Sequence, residues 1–261
     1  MALPSYAILD ENAQPIIASS GKVGFVSSVT GGTLISFSVT SGKVISTLVV
    51  GETAGPISMV EAAGRRLIAV PALSDASQGL APTVSIVDAK SARRLDVKSL
   101  LVLPADAQIT TATRPVLTRD GRFCLIASSF SEPHLFSFDI ETGQLVSQLS
   151  LVGRPSEMAF HDEGGKRRLA ISSAVANSVS IIDVDAEGQL SLASSFAPTG
   201  ARLDEANNPA FSGDGRTLYI AASEGDQLFA IDADSGAQTA SISVISPQRI
   251  SVARSASADL V

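Results

Sequence analysis

Six oxygen-bearing side chains are the residues of this sequence whose types and spacing suggest chemistry. Asp10-Glu11 and Asp204-Glu205 stand at matching places in two copies of one stretch, and Asn207 and Asn208 follow the second pair. Carboxylate and amide oxygens are hard donors of the kind Ca²⁺ accepts. Their spacing fits no calcium-loop motif, and a third copy of the stretch has Ala107-Gln108-Ile109 in the corresponding region. Asp10, Glu11, Asp204, Glu205, Asn207 and Asn208 are therefore candidate ligand-binding residues; no cofactor is predicted, and Ca²⁺ is one that such donors accept. Ordinary loop solvation and capping is the competing reading of the same residues.

Other potentially reactive groups carry less. Asp88, Asp139, Asp183 and Asp232 recur at the ends of apolar runs, with Ser38 in the first copy. Recurrence in every copy is what turn chemistry predicts, an aspartate accepting backbone N–H groups just beyond a strand. Zinc and haem want clustered His or Cys. The two histidines, His134 and His161, are expected in surface turns on opposite sides of their sheets. The single cysteine, Cys124, sits inside an apolar run and reads as a small buried side chain. No nucleophile elbow, phosphate-cradling glycine loop or metalloprotease motif is present, so no catalytic residue is assigned.

The elements that must position these residues are copies of one unit, clearest from Asn208 to Val244. A short apolar piece, Pro209-Ala-Phe211, precedes the turn Ser212-Gly-Asp-Gly215. Thr217–Ala222, Leu228–Ile231 and Thr239–Val244 follow, separated by Ser223-Glu-Gly-Asp226 and Asp232-Ala-Asp-Ser-Gly236. The runs are rich in β-formers, lack a helical period, and are divided by Asp-Gly and Ser-Gly turn signals. Four strands in an antiparallel meander of about forty residues match one propeller blade. Copies begin near Pro15, Pro56, Pro115, Pro155 and Pro209, with a partial copy from Pro247.

The strand "LYIAAS", the segments "FAID…SG" and "FSFDIETG", and "LVGRPSEMAF" from Leu151 to Phe160 resemble YVTN-type β-propeller repeats, in the wider WD40/YVTN repeat-like group. The WD-type signature itself is absent, since the chain has no Trp. The resemblance covers nearly the whole chain and is specific for fold. It implies a bacterial, extracytoplasmic or secreted protein, similar in fold to lactonase-like and haem d1-type propellers.

Composition agrees with a folded β protein: 261 residues, 45% hydrophobic and only 17% charged. A net charge of −7 argues against a nucleic-acid surface. Lys166-Arg167-Arg168 and Arg65-Arg66 are read as solvated turn charges. No run approaches a membrane span, and no signal peptide is visible.

A longer period overlies the repeat. Pro4–Pro15 aligns with Pro198–Pro209 without gaps, each pair of prolines eleven positions apart with Leu-Asp-Glu at the same place, and Pro104–Pro115 keeps the proline spacing. These long connections alternate with the short ones ending at Pro56, Pro155 and Pro247, and the copies starting at 15, 115 and 209 are 100 and 94 residues apart. The unit of duplication is thus a pair of blades. The expected architecture is one all-β domain over residues 1–261, with five full blades and a sixth begun by Arg249–Ala253 and Leu260-Val261. Unpaired edge strands leave two expectations, that the termini meet in a thin closing blade or, the favoured one, that about forty further residues complete the sixth. The connections and the 74–82 loop would share one rim, where recognition commonly lives.

Three functions are compatible with this reading. The first is a non-catalytic module binding a protein or small molecule through the loop-rich rim. The second is a lactonase-like hydrolase, with carboxylates holding a divalent metal that polarises a lactone. The third is a structural spacer.

Overall fold

The computed structural model describes residues 14–73, 81–110, 113–128, 132–204, 208–247, 250–254 and 259–260, and among these every regular element is a β-strand. The first sheet comprises β1 (Ile16–Ile17), β2 (Val23–Ser28), β3 (Thr33–Ser38) and β4 (Val44–Val49). In the second, β5 (Thr53–Ala54) and β6 (Ser58–Ala62) both pair with β7 (Arg65–Leu73), followed by β8 (Thr83–Ser91) and β9 (Arg94–Val102). The third has β10 (Val116–Leu117), β11 (Phe123–Ala127), β12 (His134–Asp139) and β13 (Leu145–Ser150). The fourth has β14 (Met158–Glu163), β15 (Lys166–Ser173), β16 (Ser178–Val184) and β17 (Leu190–Phe196). The fifth has β18 (Pro209–Phe211), β19 (Thr217–Ala222), β20 (Gln227–Asp232) and β21 (Gln238–Ser243), and β22 (Ala253–Arg254) pairs with β23 (Asp259–Leu260). Strands follow sequence order across each sheet. Of the anticipated strand Arg249–Ala253, Ala253 lies in β22 and Arg249 lies outside the described residues.

The chain divides into two compact units, Met1–Phe130 with Leu135–Ser147, and Ser131–His134 with Gln148–Val261. In the first unit the second sheet is buried on both faces. Ile68, Val70 and Val87 pack with Phe25 and Leu34 of the first sheet. The alternate residues Leu67, Ala69, Val84 and Ile86 pack with Cys124, Ile126, Phe136 and Phe138 of the third. Side chains alternate between the faces of a strand, so a sheet covered on both sides needs an unbroken apolar run. That is why Leu67–Val70 shows no polar alternation. Each large aliphatic or aromatic side chain buried this way contributes about 1.5–3 kcal/mol.

In the second unit, Ala170, Val179 and Ile181 of the fourth sheet pack with Leu218, Ile220, Phe229 and Ile231 of the fifth. The Phe196 and Phe229 ring centroids are 5.6 Å apart, tilted by 56°. Phe37 and Tyr219, aromatic residues within strands, are only half-buried. Each lies on the sheet face opposite the one that packs on the sequence-adjacent sheet of its unit.

Odd- and even-numbered sheets are closed by different hairpins. In the first, third and fifth, the turn between the first two strands holds a left-handed glycine, Gly21, Gly121 or Gly215 (φ 68°, 70° and 70°). In the last two of these, Thr118 and Ser212 donate to Asp120 and Asp214 (2.7 Å each), which accept the N–H of Arg122 and Arg216 (3.0 Å each). After the third strand, Ser38, Asp139 and Asp232 accept the N–H of Ser41, Thr142 and Ser235 (3.2, 2.8 and 2.8 Å). The even sheets instead turn in two residues, Ala63-Gly64 (φ 49° and 74°) and Gly164-Gly165 (φ 63° and 82°), the positive-φ pair of a type I′ hairpin. At matching rungs they carry Glu61–Arg66 (2.7 Å) and Asp162–Arg167 (3.3 Å).

The even sheet is latched to the odd sheet after it in the same way within each unit. Ser99 Oγ donates to Ile140 O (2.7 Å) and Ser194 Oγ to Ala233 O (3.0 Å). Glu141 and Asp234, each one residue further on, pair with Lys98 (2.5 Å) and Arg168 (2.5 Å). The repeating unit of the structure, like that of the connection lengths, is two sheets.

Candidate functional site

Of the six residues with candidate ligand chemistry, Asp10, Glu11, Glu205 and Asn207 lie outside the described residues. Asp204 and Asn208 belong to the connection between the fourth and fifth sheets. That connection is fastened from within by apolar side chains: Ala201 and Leu203 are 5% and 3% exposed and join the core of the second unit. Ala107 and Ile109 make the equivalent anchor in the first unit. Leu203, the Leu of the second Leu-Asp-Glu, is therefore a packing residue.

Polar bonds then fix the connection to its neighbouring turns. Asn177, at φ 48° in the turn before β16, donates from Nδ2 to Ala201 O (3.2 Å) and accepts the Leu203 N–H on Oδ1 (2.9 Å). Arg202 N–H donates to Glu224 O (2.8 Å), an isolated bridge to the turn before β20. Ser223 Oγ donates to Asp204 Oδ2. Asn208 is spent on main chain as well, accepting the Ile250 N–H and donating to Ile250 O (2.9 Å each). Asp226, at φ 52°, accepts the Val244 N–H on its carbonyl and the Ser246 N–H on Oδ1 (2.8 Å each). Gly225 lets the layer close: a Cβ there would stand 2.6 Å from the Ala201 Cβ. The Arg202–Glu224 pair (3.9 Å) remains on the outside, with both side chains well exposed. Asn177 had no motif to mark it in the sequence; its only signal was an Asn ending a short turn, a residue tolerant of left-handed φ.

The opposite end of the sheets carries the ionic residues. Arg168 is buried, bridging Asp183 (2.9 Å) and Asp234 (2.5 Å), so the reading of its cluster as solvated turn charge is corrected. It begins where a hairpin ends, but β15 turns it into the contact between the fourth and fifth sheets. Burial disfavours its charge, and the bonds from Asp234 and Asp183 outweigh that and hold its pKa above the ordinary value. Arg168 in turn holds the Asp234 carboxyl below its usual range. His161, expected in a surface turn, is 5% exposed within β14. Its ring packs against Phe211 (6.0 Å between centroids) and over Gly215, where a Cβ would meet it at 2.4 Å. His134 opens β12 with Nδ1 2.7 Å from Glu132 O and Nε2 3.2 Å from Ser150 Oγ.

A shallow depression of about 290 Å³ beside the β6–β7 hairpin is lined by Glu61, Arg65, Arg66 and Lys90. Its cations are already paired, with Asp88, Glu61 and Asp96. Among the described residues, no three His, Cys, Asp or Glu side chains gather as a metal group. Cys124 is wholly buried, and desolvation pushes its thiol pKa far up. No helix among the described residues is long and apolar enough to cross a membrane.

No family model matches the sequence, and no curated protein does. Solved structures do match. The β-propeller domain of Cps50 (Swd1) from Myceliophteria thermophila aligns with a TM-score of 0.64 at 16% identity, over 90% of this chain and 73% of that one. A protein of unknown function from Desulfotomaculum acetoxidans aligns at 0.63 and 18%, over 90% and 72%. Hydrazine synthase from Kuenenia stuttgartiensis aligns at 0.59 and 13%, over 84% of this chain and 64% of that one. Successive four-stranded antiparallel meanders together with these likenesses define the fold: an all-β propeller whose described residues form five such sheets, with the two-stranded pair β22–β23 beside them in sequence.

Proposed function

We propose that this propeller is a non-catalytic binding module that engages a protein or small molecule through its loop-rich end. One observation carries the reading: the loops there are braced to one another by side-chain-to-main-chain bonds, through Asn177, Asn208 and Asp226. Loops held in one conformation lose little entropy on binding, and a rigid scaffold presenting them is the usual platform for recognition. Among the candidate ligand residues, Asp204 is held by Ser223 and Asn208 by Ile250, which favours a contact surface over an open coordination site. The YVTN-type repeat pattern adds a bacterial, extracytoplasmic setting to the proposal.

Selection of a random peptide library on the immobilised chain tests it. The Arg202→Glu/Glu224→Arg double variant serves as counter-target, since it keeps the ion pair and reverses its exposed charges. Peptides that bind the natural chain at least tenfold better than the double variant are expected. Peptides indifferent to the change would place binding elsewhere. A parallel calcium titration and lactone-hydrolysis assay should give neither heat nor turnover; turnover lost on chelation would favour the hydrolase.

A further inference from the structure

The hairpin turns of the first two sheets carry a charge that the fold does not require. Over residues 14–50, which include the first sheet, the charged side chains are Lys22 and Lys43, and no Asp or Glu occurs. The other odd sheets place carboxylates in the same turns. Asp120 and Asp214 lie between the first two strands, Asp139 and Asp232 end the third, and Glu141 and Asp234 follow two residues on. The first sheet has Ser20, Ser38 and Thr40 at those places. Ser20 and Ser38 close the turns without charge. They accept the N–H of Lys22 (3.4 Å) and Ser41 (3.2 Å), as Asp120 and Asp139 accept those of Arg122 (3.0 Å) and Thr142 (2.8 Å).

The second sheet departs from its own copy in the same direction. Its last turn, Lys90-Ser-Ala-Arg93-Arg94, is closed by Ser91 Oγ, which accepts the N–H of Arg93 (3.3 Å) and Arg94 (3.1 Å). In the fourth sheet the matching turn is Asp185-Ala-Glu187-Gly-Gln189. There the Asp185 carboxylate accepts the N–H of Glu187 (3.0 Å) and Gln189 (2.7 Å). Both turns close, one with a carboxylate where the other has Lys90, so folding leaves the sign of the charge open. Three bonds gather the turns of the first two sheets. Val39 N–H donates to Lys22 O (3.0 Å), Ser36 Oγ to Ala92 O (2.5 Å), and Ser19 to the Glu61 carboxylate. The depression of about 290 Å³ is lined by Ser19 with Glu61, Arg65, Arg66 and Lys90. Seven cations of these turns, Lys22, Lys43 and the five between Arg65 and Arg94, stand with three carboxylates, Glu61, Asp88 and Asp96, in a chain of net charge −7. Lys22, Lys43 and Arg93 are exposed, and among the described residues no carboxylate pairs with them.

We propose that these turns form a basic docking surface for an acidic segment of a protein partner, a short stretch bearing several Asp or Glu side chains. Lys22, Lys43 and Arg93 supply the free charge, and the arginine adds a planar fork that matches a carboxylate. Charge complementarity of this kind speeds encounter and selects the partner. Two features favour a short carboxylate segment over a nucleic acid. Three carboxylates stand among the cations, and a long phosphate backbone running past them would meet the field of a chain of net charge −7. The third sheet bounds the surface, because it restores Asp120, Asp139 and Glu141. The inference concerns hairpin turns of the first unit, and it holds whether or not the connections of the second unit bind a partner.

Fluorescence anisotropy of a rhodamine-labelled hexaglutamate peptide, titrated with the full chain at low salt, tests it. Binding that weakens as salt rises is expected. The Lys22→Gln/Lys43→Gln/Arg93→Gln triple variant should bind at least about fivefold more weakly while keeping the natural urea midpoint. A second variant, Ser20→Asp/Ser38→Asp, restores the carboxylates of the other odd sheets and should weaken binding likewise. Arg216→Gln, at an exposed cation of the second unit, should leave it unchanged. No binding by the natural chain, or a smaller loss in both multiple variants, overturns the proposal. So does equal or tighter binding of a DNA duplex or of phosphatidylserine vesicles, which would assign the surface to phosphate. Self-association of the natural chain that the triple variant abolishes would assign it to a second copy and overturn it as well.

Discussion

Arg168 shows at the scale of one residue how position overrides composition. Three basic residues in a row read as surface charge, but Lys166 alone stays exposed, Arg167 is mostly covered beside Asp162, and Arg168 falls on the rung opposite Asp183 and is drawn into the contact with the fifth sheet. Its hydrogen bond and charge lower the Asp234 pKa from the ordinary 3.8. A carboxylate depressed in the native state adds stability that is full above its unfolded value and is lost as pH falls through the folded one. Asp234→Asn should therefore be less stable than the natural chain at neutral pH, and the gap should close below about pH 3.8. Urea midpoints across that range check this; a gap independent of pH would show that the pair does not act through charge. His161 could not be placed from sequence for a similar reason. A histidine before an Asp-Glu-Gly-Gly turn reads as exposed, and the packing of Phe211 and Gly215 against its ring buries it.

At the scale of the element, hairpins were the most legible part. The Asp139 and Asp232 turns act as the repeated Asp-x-x-Thr/Ser-Gly spacing implied. Asp139→Ala should cost about 1 kcal/mol, the net worth of an ordinary hydrogen bond, measured as a shift in denaturation midpoint, with Asp139→Asn recovering most of it. Asp88 and Asp183 behave otherwise, pairing with Arg65 (2.9 Å) and Arg168 (2.9 Å). The sequence could not separate the two uses, since an aspartate at a strand end serves either, and the partner lies across the sheet. Glycines divide the same way. Gly64 has φ 74° with open space beyond it, whereas a Cβ at Gly32 would stand 2.0 Å from Gly51 O. Gly64→Asn should change stability by less than about 0.5 kcal/mol. Gly32→Ala should cost about 2 kcal/mol or more, from left-handed strain and the clash together.

For the molecule as a whole, the fold was readable because face-to-face stacking imprints itself on inner strands as apolar runs such as Leu67–Val70 and Phe123–Ala127, and because the proline spacing records the two-sheet period. The candidate site was less readable. Binding surfaces are made by connections, and the braces of this one, Asn177 to Ala201 and Leu203 among them, join residues that no local pattern links. If stacking dominates stability, truncation should be costly only between sheets. Ile86→Ala, at a fully buried site, should lose about 2–5 kcal/mol, and Leu192→Ala, on the exposed fourth strand of its sheet, less than about 0.5 kcal/mol.

Amide hydrogen exchange followed strand by strand tests the stacked-sheet architecture most directly. The second and third strands of the sheets, β7 and β8 above all, should exchange only through the rarest openings, while β4 and β21 exchange orders of magnitude faster. Fourth strands as slow as their inner neighbours, or protection recurring every three or four residues along the inner strands, would contradict it.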